Sequence, residues 1–226
     1  MGRGGPSRRS PFLKRKAMET SKRRTNLSSA ELRRLEHFEH LRDELERDGW
    51  HATELVLAME HVARRGMAMG AALCVPFAIA WLAFWGLHAP SLWQVLACWI
   101  ANLVLIPTHE AIHGITWAAC NPSRFKAIEF GFMKESCTPY CTCVEPLGRT
   151  GYIVGTLAPL VLLGIAPAIA GIALGNGVVF ALALLMILGA SGDILVAAEL
   201  LRHKSAGSEL ICVDHPSECG LVVFER

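Results

Sequence analysis

Residues 92–113 read LWQVLACWIANLVLIPTHEAIH. The first 17 positions of this stretch hold no Asp, Glu, Lys, Arg or His. A helix rises about 1.5 Å per residue and a bilayer's hydrocarbon core is about 30 Å thick, so roughly 20 apolar residues cross it. The stretch therefore reads as a membrane-spanning helix. It then changes character within five residues, at His109-Glu110-Ala111-Ile112-His113. That change bears on both the fold and the chemistry.

Three further apolar runs, at about 67–87, 152–174 and 178–201, have the same length and purity. The whole chain, 226 residues, is 52% hydrophobic with a mean hydropathy of +0.36. That average lies close to a soluble domain's, so the distribution of charge decides the class. The expected fold is an all-α membrane protein with four transmembrane helices and an N-terminal helical extension. The short links His88-Ala89-Pro90-Ser91 and Gly175-Asn176-Gly177 make segments one and two, and three and four, antiparallel hairpins. Pro76 falls inside the first segment, which membrane helices tolerate. The 114–151 loop holds β-type residues around turn formers, at 130–133 and 138–144, and is expected to form a short β-hairpin or re-entrant piece.

The chain divides into a basic tail (1–27), an amphipathic helical region (28–66), a transmembrane domain (67–201) and a polar tail (202–226). The first 27 residues are rich in Arg, Lys, Ser, Gly and Pro and are expected to be disordered. Ser28-Ser29-Ala30-Glu31 is a capping box that opens a helix through Leu32, Leu35, Phe38, Leu41 and Leu45. A second amphipathic helix is expected through Leu55, Leu57, Met59 and Val62. His37, His40, His51 and His61 sit among charges and read as surface residues. Residues 1–66 carry a net charge of +5 and the rest −3. All 22 Lys and Arg lie in the N-terminal region, the 114–151 loop and the C-terminal tail. With four spans these share one side, which the positive-inside rule makes cytoplasmic. Both termini are placed there, and no cleavable signal peptide is seen. The basic tail suits anionic lipid as a partner; nucleic acid is not expected. Of eight cysteines, those at 137, 141 and 143 match no common zinc-ribbon spacing, and reduced thiols are the default in the cytoplasm.

Two histidines at i and i+4 share a helix face, so His109 and His113 can bind one metal. Glu110 projects to the side, where it can take a proton from an attacking water and pass it to a leaving amine. The pattern is short and also occurs by chance. Its setting argues for function, because ionisable groups inside a membrane cost about 2.5–3.5 kcal/mol each at a helix centre. A catalytic zinc takes three protein ligands, and segment four offers Asp193 as the third. It is the only acid between Val178 and Ala198. From Trp93 to His109 is about 24 Å of helix and from Val178 to Asp193 about 22 Å, so the two sites lie at similar depth. The neighbouring Gly189-Ala190-Ser191-Gly192 permits close helix approach. Asn102, seven residues before His109, can orient a ligand or make an interhelical hydrogen bond. Glu199 reads as interfacial. His203 and His215 are alternative third ligands without a depth argument.

These residues resemble those of the zincin peptidase family of membrane proteins, a group similar to site-2 proteases. The likeness rests on His109 to Gly114, Leu157-Ala158-Pro159, Gly192-Asp193 and Asp214-His215-Pro216-Ser217-Glu218-Cys219-Gly220, and covers roughly residues 67–226. It implies zinc held by His109, His113 and Asp193, with Glu110 as general base. It implies peptide hydrolysis near the cytoplasmic face, on a membrane protein or peptide substrate. The context of the Asp departs from that of site-2 proteases, with Ser191-Gly192-Asp193-Ile194 here. A non-catalytic membrane adaptor with a structural metal is the competing expectation, supported by the long basic N-terminal region. Metal transport is disfavoured, since four spans with one site and no repeat give little basis for alternating access.

Overall fold

A computed structural model describes residues 28–133, 138–205 and 207–226. The basic tail expected to be disordered and Cys137 lie outside the described residues. Helix α1, Ser29–Arg47, begins at the capping box: the Glu31 amide donates to the Ser28 hydroxyl and the Ser28 amide to the Glu31 carboxylate. Strand β1, His51–Val56, follows. Three helices, α2 (Met59–Trp85), α3 (Leu92–Cys120) and α4 (Arg149–Leu174), are each long and apolar enough to cross a membrane. Helices α5 (Gly177–Gly189) and α6 (Ser191–Arg202) make a fourth span if taken together, bent by 48° at their junction. The outward surfaces of α2 and α3 are apolar, with Phe84, Trp93, Trp99, Ile100, Leu103 and Val104 exposed. Contiguous apolar surface of this kind suits lipid, not water.

Close helix approach falls at other glycines than those of the Gly189–Gly192 run, where a Cβ on Gly189 would meet nothing within 4 Å and one on Gly192 only Val62 at 3.8 Å. A Cβ on Gly155 would land inside the Trp117 indole, one on Gly171 about 2.8 Å from the Phe180 backbone, and one on Gly66 about 2.7 Å from the Ser191 carbonyl. The last contact seats the start of α2 on the junction between α5 and α6. Widened, π-type turns at Val62–Gly66 and Leu160–Ile165 locally reset the helical register of α2 and α4.

The structure is not all-α. Strands β2 (Ile128–Met133) and β3 (Thr138–Cys143) form an antiparallel hairpin in the expected loop. A second sheet was not foreseen. It runs β1-β6-β5-β4, with β4 at Leu147–Gly148, β5 at Leu210–Asp214 and β6 at Gly220–Glu225. It corrects two expectations. Residues 51–56 are a strand instead of the start of a second amphipathic helix, and helix resumes only at Met59, continuous with the first span. The tail beyond 202 is ordered into the two inner strands. Segment two also runs seven residues past His113, to Cys120.

The tail pairs because both of its faces are apolar. Val213, Val222 and Phe224 meet Phe38, Leu41 and Leu45 of α1, while Cys212, Leu221 and Val223 meet Trp117, Leu147, Tyr152 and Leu200 at the polar ends of the helices. The sheet is thus a layer between α1 and the membrane helices. Helix α1 also grips the hairpin. Buried Arg34 lies over the Tyr140 ring, donates to its hydroxyl at 2.5 Å, and pairs with Glu129 at 3.5 Å.

Burial of this layer makes two predictions. Phe224 is fully buried, and Phe224→Ala should destabilise the detergent-solubilised protein by about 3 kcal/mol or more, read as a lowered denaturation midpoint. Burial pushes the Cys143 and Cys212 thiols up to about 12, so at pH 8 about one molecule in 10⁴ carries either thiolate. Both should resist iodoacetamide until the protein unfolds, whereas exposed Cys120 is alkylated; mass spectrometry of labelled peptides reads the difference.

Candidate metal centre

His109 and His113 stand one turn apart on α3, and their side chains meet the carboxylate of Asp193 in the first turn of α6. The bend between α5 and α6 produces this meeting. Ala190 leaves helical geometry, with φ −77° and ψ 11°, and α6 starts afresh at Ser191. Asp193 therefore sits at the positive end of a helix, which favours its anionic form. Fully buried Ala190 lets this end approach closely.

The ligand atoms of the three residues all lie within 4.8 Å of one another. His109 Nε2 is 3.1 Å from Asp193 Oδ2 and 3.1 Å from His113 Nε2, and His113 Nε2 is 3.5 Å from Asp193 Oδ1. Tetrahedral zinc with bonds of about 2.05 Å separates its ligands by about 3.3 Å, so the spacing fits. Proton bookkeeping points the same way. His113 Nδ1 donates to the Gly155 carbonyl at 2.9 Å, which fixes the tautomer and turns the Nε2 lone pair inward. An imidazole nitrogen offers one N–H or one lone pair. In any protonation state His109 Nε2 can therefore hydrogen-bond only one of its two neighbours at 3.1 Å. A cation at the centre satisfies all three residues.

Other groups hold the trio. Trp117 stacks on His113, centroids 5.0 Å apart at 18°, and its indole N–H donates to the Tyr152 carbonyl at 3.1 Å. Glu110 is half-buried beside the trio, and the backbone amide of Cys141 in β3 is directed at its carboxylate. The hairpin therefore lies against the general-base candidate.

The remaining sequence candidates lie elsewhere. Glu199 pairs with Arg202 at 3.1 Å and His203 with Glu225 at 2.8 Å. His215 Nδ1 accepts from the amides of Ser217 and Glu218 at 3.3 and 2.9 Å. None of them is in the cluster. Asn102 Oδ1 is buried without a hydrogen-bond partner among the described residues.

With this geometry in view, the comparisons with known proteins can be stated. Residues 102–206 match the family described as Putative zincin peptidase. The matched stretch contains both histidines, Glu110 and Asp193, and ends before β5. It points to a metallopeptidase, and a zincin implies zinc, for which the His109, His113 and Asp193 cluster offers a place. No curated protein and no solved structure matched the chain.

The sequence did not reveal Gly155, Trp117, Tyr152 or Cys141, which act through a carbonyl, a stacked ring, a carbonyl and an amide. Such roles carry no residue-type signature. The purified protein should bind one zinc per chain, and His109→Ala or Asp193→Ala should lower the bound metal well below that, measured by atomic emission. Full occupancy in Asp193→Ala would remove Asp193 from the ligand set.

Proposed function

We propose that the protein is a membrane-embedded zinc metallopeptidase, similar to site-2 proteases, that hydrolyses a peptide bond of a membrane-associated protein near the cytoplasmic face. The convergence of His109, His113 and Asp193 with Glu110 beside them carries this reading. In it, His109, His113 and Asp193 hold the zinc. When bound, zinc supplies Lewis acidity that activates water and polarises the scissile carbonyl. Glu110 takes the proton of the attacking water and delivers it to the leaving amine. The Cys141 amide faces the Glu110 carboxylate, and the Gly155 carbonyl keeps His113 oriented.

The setting supports a substrate that arrives within the bilayer. Helix α2 packs against α5 and α6, and α3 against α4 and α5. Between their outer halves lies a cavity of about 660 Å³, lined by Trp81, Trp85, Trp99, Gln94, Asn102 and Phe180 among others. Asn102 stands two helical turns before His109. Its unpartnered buried oxygen suits a backbone N–H of a peptide that loosens its helix as it approaches. The distribution of Lys and Arg supports cytoplasmic placement of both termini and of the two sheets.

Incubating the purified protein with a panel of single-span peptides in liposomes, with products read by mass spectrometry, tests this. Glu110→Gln should retain zinc and lose about 10²-fold or more in turnover. Cleavage by Glu110→Gln at the parental rate would overturn the mechanism. Zinc binding with no cleavage by the parent would favour the non-catalytic adaptor.

A further inference from the structure

Asp214, at the end of β5, belongs to the Asp214 to Gly220 run, to which the proposed mechanism gives no task. Its carboxylate is held on two sides. Oδ1 accepts from the Tyr152 hydroxyl. Oδ2 accepts from the Thr142 hydroxyl at 3.0 Å and from the Cys143 amide at 2.8 Å. A carboxylate removed from water needs such donors, and burial still leaves Asp214 above the usual carboxylate range.

Each set of donors leads to a different part of the metal centre. On one side, Tyr152 is buried in the first turn of α4. Its carbonyl receives the Trp117 indole, and Trp117 stacks on His113. One turn further, the Gly155 carbonyl receives His113 Nδ1. On the other side, Thr142 and Cys143 belong to β3, and the amide of the preceding residue, Cys141, is directed at the Glu110 carboxylate. The backbone amides of Cys141 and Cys143, two residues apart in the strand, point to the same edge. One edge of the hairpin is therefore pinned by Asp214 on β5 and presented to Glu110 on α3.

We infer that Asp214 is a positioning residue that sets the general base and a metal ligand together, through β3 to Glu110 and through Tyr152 to His113. This rests on the metallopeptidase reading for the roles of Glu110 and His113, but its test needs no substrate. The carboxylate serves both sides by accepting at both oxygens. An Asn can keep both contacts, accepting from β3 at its oxygen and donating from its NH₂ to the Tyr152 hydroxyl oxygen. Truncating the side chain, as in Asp214→Ala, releases both sides.

The experiment compares Asp214→Ala, Tyr152→Phe and Thr142→Val in the full-length protein. Zinc affinity is read by competition with a chelator, and β3 amide protection by hydrogen–deuterium exchange. Tyr152→Phe should weaken zinc about 10-fold or more, the usual scale for a lost outer partner of a metal ligand, and leave the Cys141 and Cys143 amides protected. Thr142→Val should expose those amides and leave zinc affinity at the parental value. Asp214→Ala should do both; should it fail to fold, the two single-arm variants still decide. Phe224→Ala serves as a control that lowers stability without touching either arm, and it should keep parental zinc affinity. Parental affinity and protection in both Tyr152→Phe and Thr142→Val would overturn the inference. So would a loss of zinc in Phe224→Ala equal to that in Tyr152→Phe, because general loosening would then explain it. A parent chain that binds no zinc would overturn the functional reading along with this one, whereas a zinc-binding parent with unaltered variants overturns this one alone.

Discussion

The bend at Ala190 is the constraint on which the rest depends. An unbroken helix from Gly177 to Arg202 would carry Asp193 past α3 with its backbone amides already committed. The break gives Asp193 the start of a new helix, where the free amides favour a negative charge. It also brings that charge against two imidazoles from a helix distant in sequence. The glycine at 66 lets α2 close over the break, so backbone that lipid could not satisfy is covered by protein. What looks like a weak point between α5 and α6 is where three helices meet.

The centre then acquires its order from outside the membrane. His113 is fixed by a carbonyl from the start of α4 and by a stacked indole of α3 that is itself held by α4, and an amide of the hairpin is directed at Glu110. The hairpin is itself gripped by α1 through Arg34 and Tyr140. The polar layer at the ends of the helices, which by composition could pass for loops and tails, is the frame that orients these side chains. A helical bundle alone would bring His109, His113 and Asp193 together without setting their tautomers or angles.

Much of this was legible in the sequence. The spans show as long uncharged runs, and His109, His113 and Asp193 stand out because ionisable groups are rare there. The depth argument worked because helical rise is constant. The hairpin showed in the β-type residues at 130–133 and 138–144. The four-stranded sheet did not show, for physical reasons. Strand β6, Gly-Leu-Val-Val-Phe-Glu, is buried on both faces, so it lacks the alternation that marks a half-buried strand. Its partner β1 is far away in the chain, and no local pattern reports a distant partner. The residues of 51–56 are mixed in polarity because β1 lies at the sheet's edge, and the helical period continuing from Met59 drew them into the wrong element. The supporting contacts to the metal site were invisible because most are made by backbone atoms.

The strand order has a consequence for the order of assembly. In the register, Val56 pairs with Gly220, about 160 residues later, and every membrane helix lies between them. Strand β1 is synthesised before the first span, yet it has no partner until β6 follows the last. Closing so long a loop is slow compared with forming helices. The sheet therefore closes after the helices have entered the bilayer, and Asp214 reaches Tyr152 and the hairpin only then. A chain that has not finished inserting holds its histidines and its carboxylates but has not yet aimed them.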